Sequence, residues 1–181
     1  MKDQLLSLLL PILIISNWTE GKVFKINKME CSALDPSFTY FKTCQVVHRK
    51  NGRAALYVSE IFLYKEPIDN IILNLGIFKL VKNRRFQILN ETLDYCVFSR
   101  QYLASGFFGF LMSPLLKTMN VNATCPLKQN ITVTGFPVDE NTIKEIPIPN
   151  GFYMFQLRTS MMRKWRTDVR VYVSRVEKYS E

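Results

Sequence analysis

The side chains of this 181-residue chain best suited to chemistry are four cysteines and a single histidine. Cys31, Cys44, Cys96 and Cys125 contain no Cys-x-x-Cys spacing, and His48 stands alone, so no metal site of ordinary zinc-ligand spacing is expected. An even cysteine count suits oxidised pairs. Three pairings are open from the sequence, and the expectation is the sequence-nearest set, Cys31–Cys44 and Cys96–Cys125. Catalytic patterns are missing: there is no Gly-x-Ser-x-Gly elbow, no His-Glu-x-x-His and no phosphate-binding glycine loop. His48, between Val47 and Arg49 on an expected strand, reads as an ordinary strand residue. Glu91 and Asp94 would point to opposite faces of one strand and so make no carboxylate pair; Asp94 is expected to accept a hydrogen bond from nearby backbone or a basic side chain. No catalytic residue, metal or cofactor is expected, and the chain is read as not an enzyme.

The remaining chemistry is apolar binding. Between Cys96 and Cys125 lies a stretch rich in Phe, Leu and Met. From Leu103 to Met119 it has helical spacing, with Phe108, Leu111, Leu115 and Met119 on one face and Phe107, Phe110 and Leu116 widening it. Pro114 forbids one continuous regular helix, and Ser113-Pro114 reads as an N-cap and first-turn proline opening a second short helix. The run is too short and too broken by Gly, Ser and Pro to span a membrane. An apolar helical insert among strands must lie on or between sheets, either plugging a core or gating an apolar cavity.

The elements that must position this insert are strands. Residues 1–16 stand apart, with Met1-Lys2 followed by the apolar run Leu5–Ile15 and the small Ser16, the shape of a secretory signal peptide. Residues 17–181 are expected to form a single domain of mature, secreted, extracellular protein. Strands are expected over Lys42–Lys50, Ala54–Lys65, Asn70–Val81, Phe86–Phe98 and Gln129–Phe136. The clearest alternation is in Tyr153, Phe155, Leu157, Thr159 and Met161, then in Val169, Val171 and Val173. Turns are marked by Asn51-Gly52, Pro67–Asn70, Lys82–Arg85 and Pro149-Asn150-Gly151. Short alternating strands at such spacing indicate an all-β fold, an antiparallel β-sandwich. Passage through the secretory pathway agrees with glycosylation sequons at Asn90, Asn122 and Asn130, Asn90 on the polar phase of its strand; a further sequon, Asn17, is discounted because it would sit at the new N-terminus.

The formal charge is +9, unchanged by removal of residues 1–16, which takes one Lys and one Asp. Lys79, Lys82, Arg84 and Arg85 cluster at one turn; Arg158, Arg163, Lys164, Arg166 and Arg170 cluster around the last hairpin. Such clusters form a solvated basic surface or attract anionic lipid headgroups, acidic glycans or a receptor. Nucleic acid is not expected, since the chain is read as secreted and carries no binding motif.

An ordered set of motifs adds a resemblance. These are Glu30-Cys31, Phe41-x-x-Cys44, Leu89-Asn90-x-Thr92-x-Asp94-x-Cys96, Asn122-x-Thr124-Cys125-Pro126, Ile148-Pro149-x-Gly151-x-Tyr153 and Trp165-x-x-Asp168-Val169. From about Val23 to Tyr179 the chain resembles an insect family of small secreted proteins of unknown function. That family is related to the ML lipid-recognition domain, whose wider circle includes the fly chemosensory-B proteins and the ganglioside activator. The resemblance implies an immunoglobulin-like sandwich that opens between its sheets to hold a lipid or another hydrophobic small molecule, with chemosensation as one use. With that fold, Phe107, Phe108, Phe110, Leu111, Leu115 and Met119 are expected to line or close an apolar pocket, walled by Tyr153, Phe155, Leu157, Val169 and Val171. The alternative is an extracellular glycoprotein with a filled core that acts on other proteins through its basic face.

Overall fold

The structure is a computed structural model that describes residues 21–49, 53–82, 84–101, 109, 113–120, 125–138 and 148–178. The expected signal peptide, the Asn51-Gly52 turn and most of the apolar insert lie outside the described residues. Eight strands follow in chain order: β1 (Gly21–Ala33), β2 (Thr39–His48), β3 (Ala54–Phe62), β4 (Ile71–Val81), β5 (Arg84–Asp94), β6 (Ile131–Val138), β7 (Gly151–Met161) and β8 (Lys164–Lys178). The short helix α1 (Tyr95–Gln101) separates β5 from the insert. The strands form two antiparallel sheets, ordered β1-β8-β7-β4-β5 and β2-β3-β6. The architecture is the expected all-β sandwich.

Alternation explains which face of each strand turns inward. On β4, Ile71, Leu73, Leu75 and Ile77 are all buried, and they pair in register with Met161, Thr159, Leu157 and Phe155 of β7. On β8 the inward row is Thr167, Val169, Val171 and Val173. The β7–β8 hairpin closes in two residues, Met162 and Arg163, both with positive φ (52° and 62°), as the twist of a tight hairpin requires. Apolar packing concentrates in two clusters. One holds Phe24, Ile26, Leu56, Ile148, Tyr153 and Val173; the other holds Phe38, Ile68, Ile71, Leu73, Tyr95, Leu127 and Met161.

Two disulfides tie the sandwich, with the expected pairing. Cys31 of β1 bonds Cys44 of β2 (Cα–Cα 6.1 Å), joining the two sheets where their first strands meet. Cys96 of α1 bonds Cys125 (Cα–Cα 5.4 Å), joining the end of β5 to the approach to β6.

Three expectations are corrected. The strand expected over Phe86–Phe98 ends at Asp94, because the Asp94 carboxylate accepts the Val97 backbone N–H (3.0 Å) and starts α1. Tyr95 and Val97, placed on one face by alternation, therefore part company: Tyr95 is buried and Val97 exposed. The strand expected to stop at Phe136 continues through Pro137 to Val138. Proline is tolerated there because β6 is the last strand of its sheet and pairs only β3 through this stretch. Finally, β1, a strand of 13 residues, was not expected. A register shift between Ile26 and Lys28 breaks its alternation.

Candidate functional site

Between the two apolar clusters the sheets do not close on each other. They enclose a cavity of about 270 Å3. One wall is the inward row of the larger sheet: Ile71, Leu73 and Leu75 of β4, Phe155 and Leu157 of β7, and Val169, Val171 and Val173 of β8. The other is the smaller sheet, through Phe41 of β2, Leu56 and Val58 of β3, and Ile131, Val133, Phe136 and Val138 of β6. A cavity here follows from the strand composition. Valine and leucine fill less depth than two facing rows of aromatics would.

The described end of the insert covers part of this space. Residues 113–116 form a helical turn, with the Lys117 N–H directed at the Ser113 carbonyl (3.4 Å), where Ser113-Pro114 is expected to begin one. The chain then runs along the free edge of β6. Asn120 N donates to the Thr132 carbonyl and Thr134 N to the Thr118 carbonyl (both 3.0 Å), and the Asn120 side chain accepts the Thr132 N–H (2.6 Å). Met119 thereby bridges Val133, and Pro114, Leu115, Leu116 and Met119 are set into the lining.

Among the described residues, a single carboxylate interrupts this apolar surface. Glu60 shares the inward phase of β3 with Leu56 and Val58; it is 6% exposed and lines the cavity. The Thr39 hydroxyl lies 3.1 Å from it, within donating distance. Burial pushes its carboxyl up from 4.5 to about 7, and the Thr39 contact opposes that only in part. Two other buried charges, Asp168 and Arg166, are paired. The Asp168 carboxylate accepts Gln156 Nε2 (3.0 and 2.9 Å) and pairs with Arg170 (2.6 Å). Arg166 pairs with Asp35 and lies 4.0 Å from the centre of the Phe38 ring. Among the described residues, no group of three or more His, Cys, Asp or Glu side chains is arranged to hold a metal ion.

Of the residues expected at the pocket, Leu115, Met119, Phe155, Leu157, Val169 and Val171 line the cavity. Tyr153 is not in the lining: it is fully buried in the neighbouring cluster, where its hydroxyl donates to the Pro149 carbonyl (2.5 Å). Phe107, Phe108, Phe110 and Leu111 lie outside the described residues. Sequence reasoning missed Glu60 and the β4 and β6 walls. The available signal was an acid occupying the apolar phase of a strand. Asn90 is exposed, although Asn74 Nδ2 donates to its side chain (2.7 Å). Asn130 is exposed and accepts the Phe62 N–H (2.9 Å); Asn122 lies outside the described residues.

The expected basic surface at the last hairpin is partly internal. Arg166 is buried, Arg170 serves Asp168, and Arg158 stacks on Trp165 (4.4 Å). The turn between β4 and β5 is more open: Lys82, Arg84 and Arg85 are exposed there, beside exposed Val81 and Phe86. No helix among the described residues is long and apolar enough to cross a membrane.

Residues 73–155 match the model of a family described as a protein of unknown function (DUF1091). That span runs from β4 to β7 and so includes the insert and half of the cavity wall. No curated protein matches the chain. Among solved structures it is similar to chicken MD-1 complexed with lipid IVa, at 11% identity over 86% of this chain and 97% of that chain, with a TM-score of 0.41. It is also similar to a Niemann-Pick type C2 protein from Japanese carpenter ant, at 14% identity over 83% of this chain and 90% of that chain, with a TM-score of 0.33.

Proposed function

We propose that this chain is a secreted binding protein that carries one hydrophobic small molecule, such as a lipid, between its two sheets. The observation that carries the reading is the cavity: about 270 Å3 of space walled by aliphatic and aromatic side chains from both sheets. Ligand pockets commonly measure roughly 300–1,000 Å3, and transfer of an apolar body into such a space is favourable at about 25 cal/mol per Å2 removed from water. A volume just below that range suits one acyl chain or one compact ring system. The filled-core alternative has no place for a void of this size, since protein interiors otherwise pack nearly without gaps.

Secretion fits two disulfides in a chain that begins with an apolar leader-like run. Glycans at Asn90 and Asn130 would stand on exposed positions. The Phe107–Leu111 stretch is assigned to closing the cavity, and carriage of chemosensory molecules is one setting for such a protein. The exposed basic turn at Lys82–Arg85 suits contact with an anionic membrane or a receptor.

The test is to express the full chain in a secreting eukaryotic cell and titrate the purified protein with an apolar fluorophore such as N-phenyl-1-naphthylamine. Saturable binding of one probe per chain, displaced by single-chain lipids, is expected. No saturable binding by this or any other apolar probe overturns the carrier reading.

A further inference from the structure

We propose that Glu60 is the head-group receptor of the cavity, and that it selects a ligand carrying a hydrogen-bond donor, an alcohol or an amine, over a fatty carboxylate of equal length. The inference rests on the carrier reading and names the ligand class within it.

The argument begins with position. Glu60 lies in the inward row of β3, opposite Phe41 of β2 and Ile131 of β6, so its neighbours across the smaller sheet offer no charge. Its described contact is the Thr39 hydroxyl, and none of the described ion pairs includes it. The facing sheet supplies two hydroxyls to the lining, Thr159 and Thr167, which are partners in the β7–β8 register. Tyr95 is the other titratable side chain in the lining, and burial raises its phenol, keeping it neutral. No Lys, Arg or His lines the cavity among the described residues.

Such a wall has a definite preference. A carboxyl group in an apolar surround is costly unless something satisfies it. A bare aliphatic core would gain stability from leucine at this position, which shares its phase with Leu56 and Val58. Retaining an acid makes chemical sense when the occupant brings the partner. A hydroxyl or ammonium entering with its chain among the aliphatic walls donates to a carboxylate oxygen of Glu60, as charge-assisted donors do strongly in dry sites. A fatty carboxylate brings a second negative charge toward the first, and no cation in the lining offsets it.

The experiment uses the full chain and displacement of N-phenyl-1-naphthylamine by tetradecanol, tetradecylamine and tetradecanoate at about pH 8, where the free fatty acid is ionised. Wild type is expected to bind the alcohol or the amine at least about tenfold more tightly than the carboxylate, and the two donor arms show which head group is preferred. Glu60→Gln removes the charge while keeping the shape, and it should bring tetradecanoate to within about threefold of tetradecanol. Glu60→Leu should weaken the alcohol itself. Equal wild-type affinity for tetradecanol, tetradecylamine and tetradecanoate overturns the proposal, as does a preference that survives in Glu60→Gln. Either result leaves the carrier reading standing, because the probe still binds; failure of wild type to bind the probe at all removes both. Circular dichroism of each variant shows that a changed affinity belongs to the folded protein.

Discussion

Thr39 on β2 and Glu60 on β3 are diagonal neighbours, with the Thr39 hydroxyl 3.1 Å from a Glu60 carboxyl oxygen and 2.9 Å from the Ile61 carbonyl. A hydroxyl has one proton and cannot serve both acceptors at once. The conflict disappears when Glu60 is protonated, because the acid then donates to Thr39 and Thr39 donates to Ile61. Burial raises the Glu60 carboxyl from 4.5 to about 7. Between those values the folded chain binds a proton that the unfolded chain has released, so stability falls as pH rises through the window. Below about 4.5 this penalty is absent; above about 7 it is complete, at roughly 3 kcal/mol. Ligand-free Glu60→Gln should therefore lose this descent between acid and neutral pH. Urea midpoints of both proteins across the window check it, and parallel profiles would refute the assignment.

Val133 on β6 is buried, lines the cavity and is bridged to Met119. Val133→Phe places a ring in the empty volume. Probe affinity should fall at least about tenfold, or ~1.4 kcal/mol. Stability should stay within about 1 kcal/mol of wild type, since the added atoms meet space rather than packed neighbours. Undiminished affinity in this variant would place the ligand elsewhere.

The two disulfides close chain segments of different length, with sequence separations of 13 and 29 residues. In the chain-entropy model, removing either costs about 3 kcal/mol, and somewhat more for the longer loop. Paired serine replacements at Cys96 and Cys125 should thus lower the denaturation midpoint at least as much as replacements at Cys31 and Cys44. Unreduced denaturation curves of the two double variants give the comparison.

Gly135 sits inside β6 with φ +69°, at the irregularity where Leu56 pairs Phe136 and Tyr57 pairs Thr134. A methyl group there would lie 3.3 Å from the Tyr57 hydroxyl oxygen. Gly135→Ala should cost about 1–2 kcal/mol through left-handed backbone strain alone. Thermal unfolding of the variant tests this, and an unchanged midpoint would mean that the irregularity is absent.

These residues also show what was readable beforehand. Phe155 and Leu157 of β7, and Val169 and Val171 of β8, alternate clearly enough for spacing to give their phase, and the resemblance made that phase a pocket wall. Tyr153 belongs to the same alternation yet lies past the cavity's end, and period gives phase, not depth. β1 escaped notice because one irregular position between Ile26 and Lys28 reverses the pattern halfway. Residues 95–98 misled for the opposite reason: Tyr95 and Val97 keep a strand's spacing while Asp94 turns the backbone into a helix. Glu60 was passed over because a lone acid, even in phase with Val58 and Phe62, reads as surface until the facing sheet is known.

The placement of the two disulfides has a kinetic consequence. One fastens β1 to β2, the edge strands on one side; the other fastens the end of β5 to the approach to β6 on the opposite side. A sandwich held at both margins cannot part like the covers of a book. In the proposed carrier, exchange of a ligand would run past residues 118–120, which a few hydrogen bonds hold to the free edge of β6. Local openings of that kind need only a fraction of the global unfolding free energy. Residence time in such a carrier would be set by the fraying of one short seam, separately from how well the walls fit the occupant. Selective reduction of Cys96–Cys125 would turn a slow leak into rapid discharge with the walls themselves unaltered.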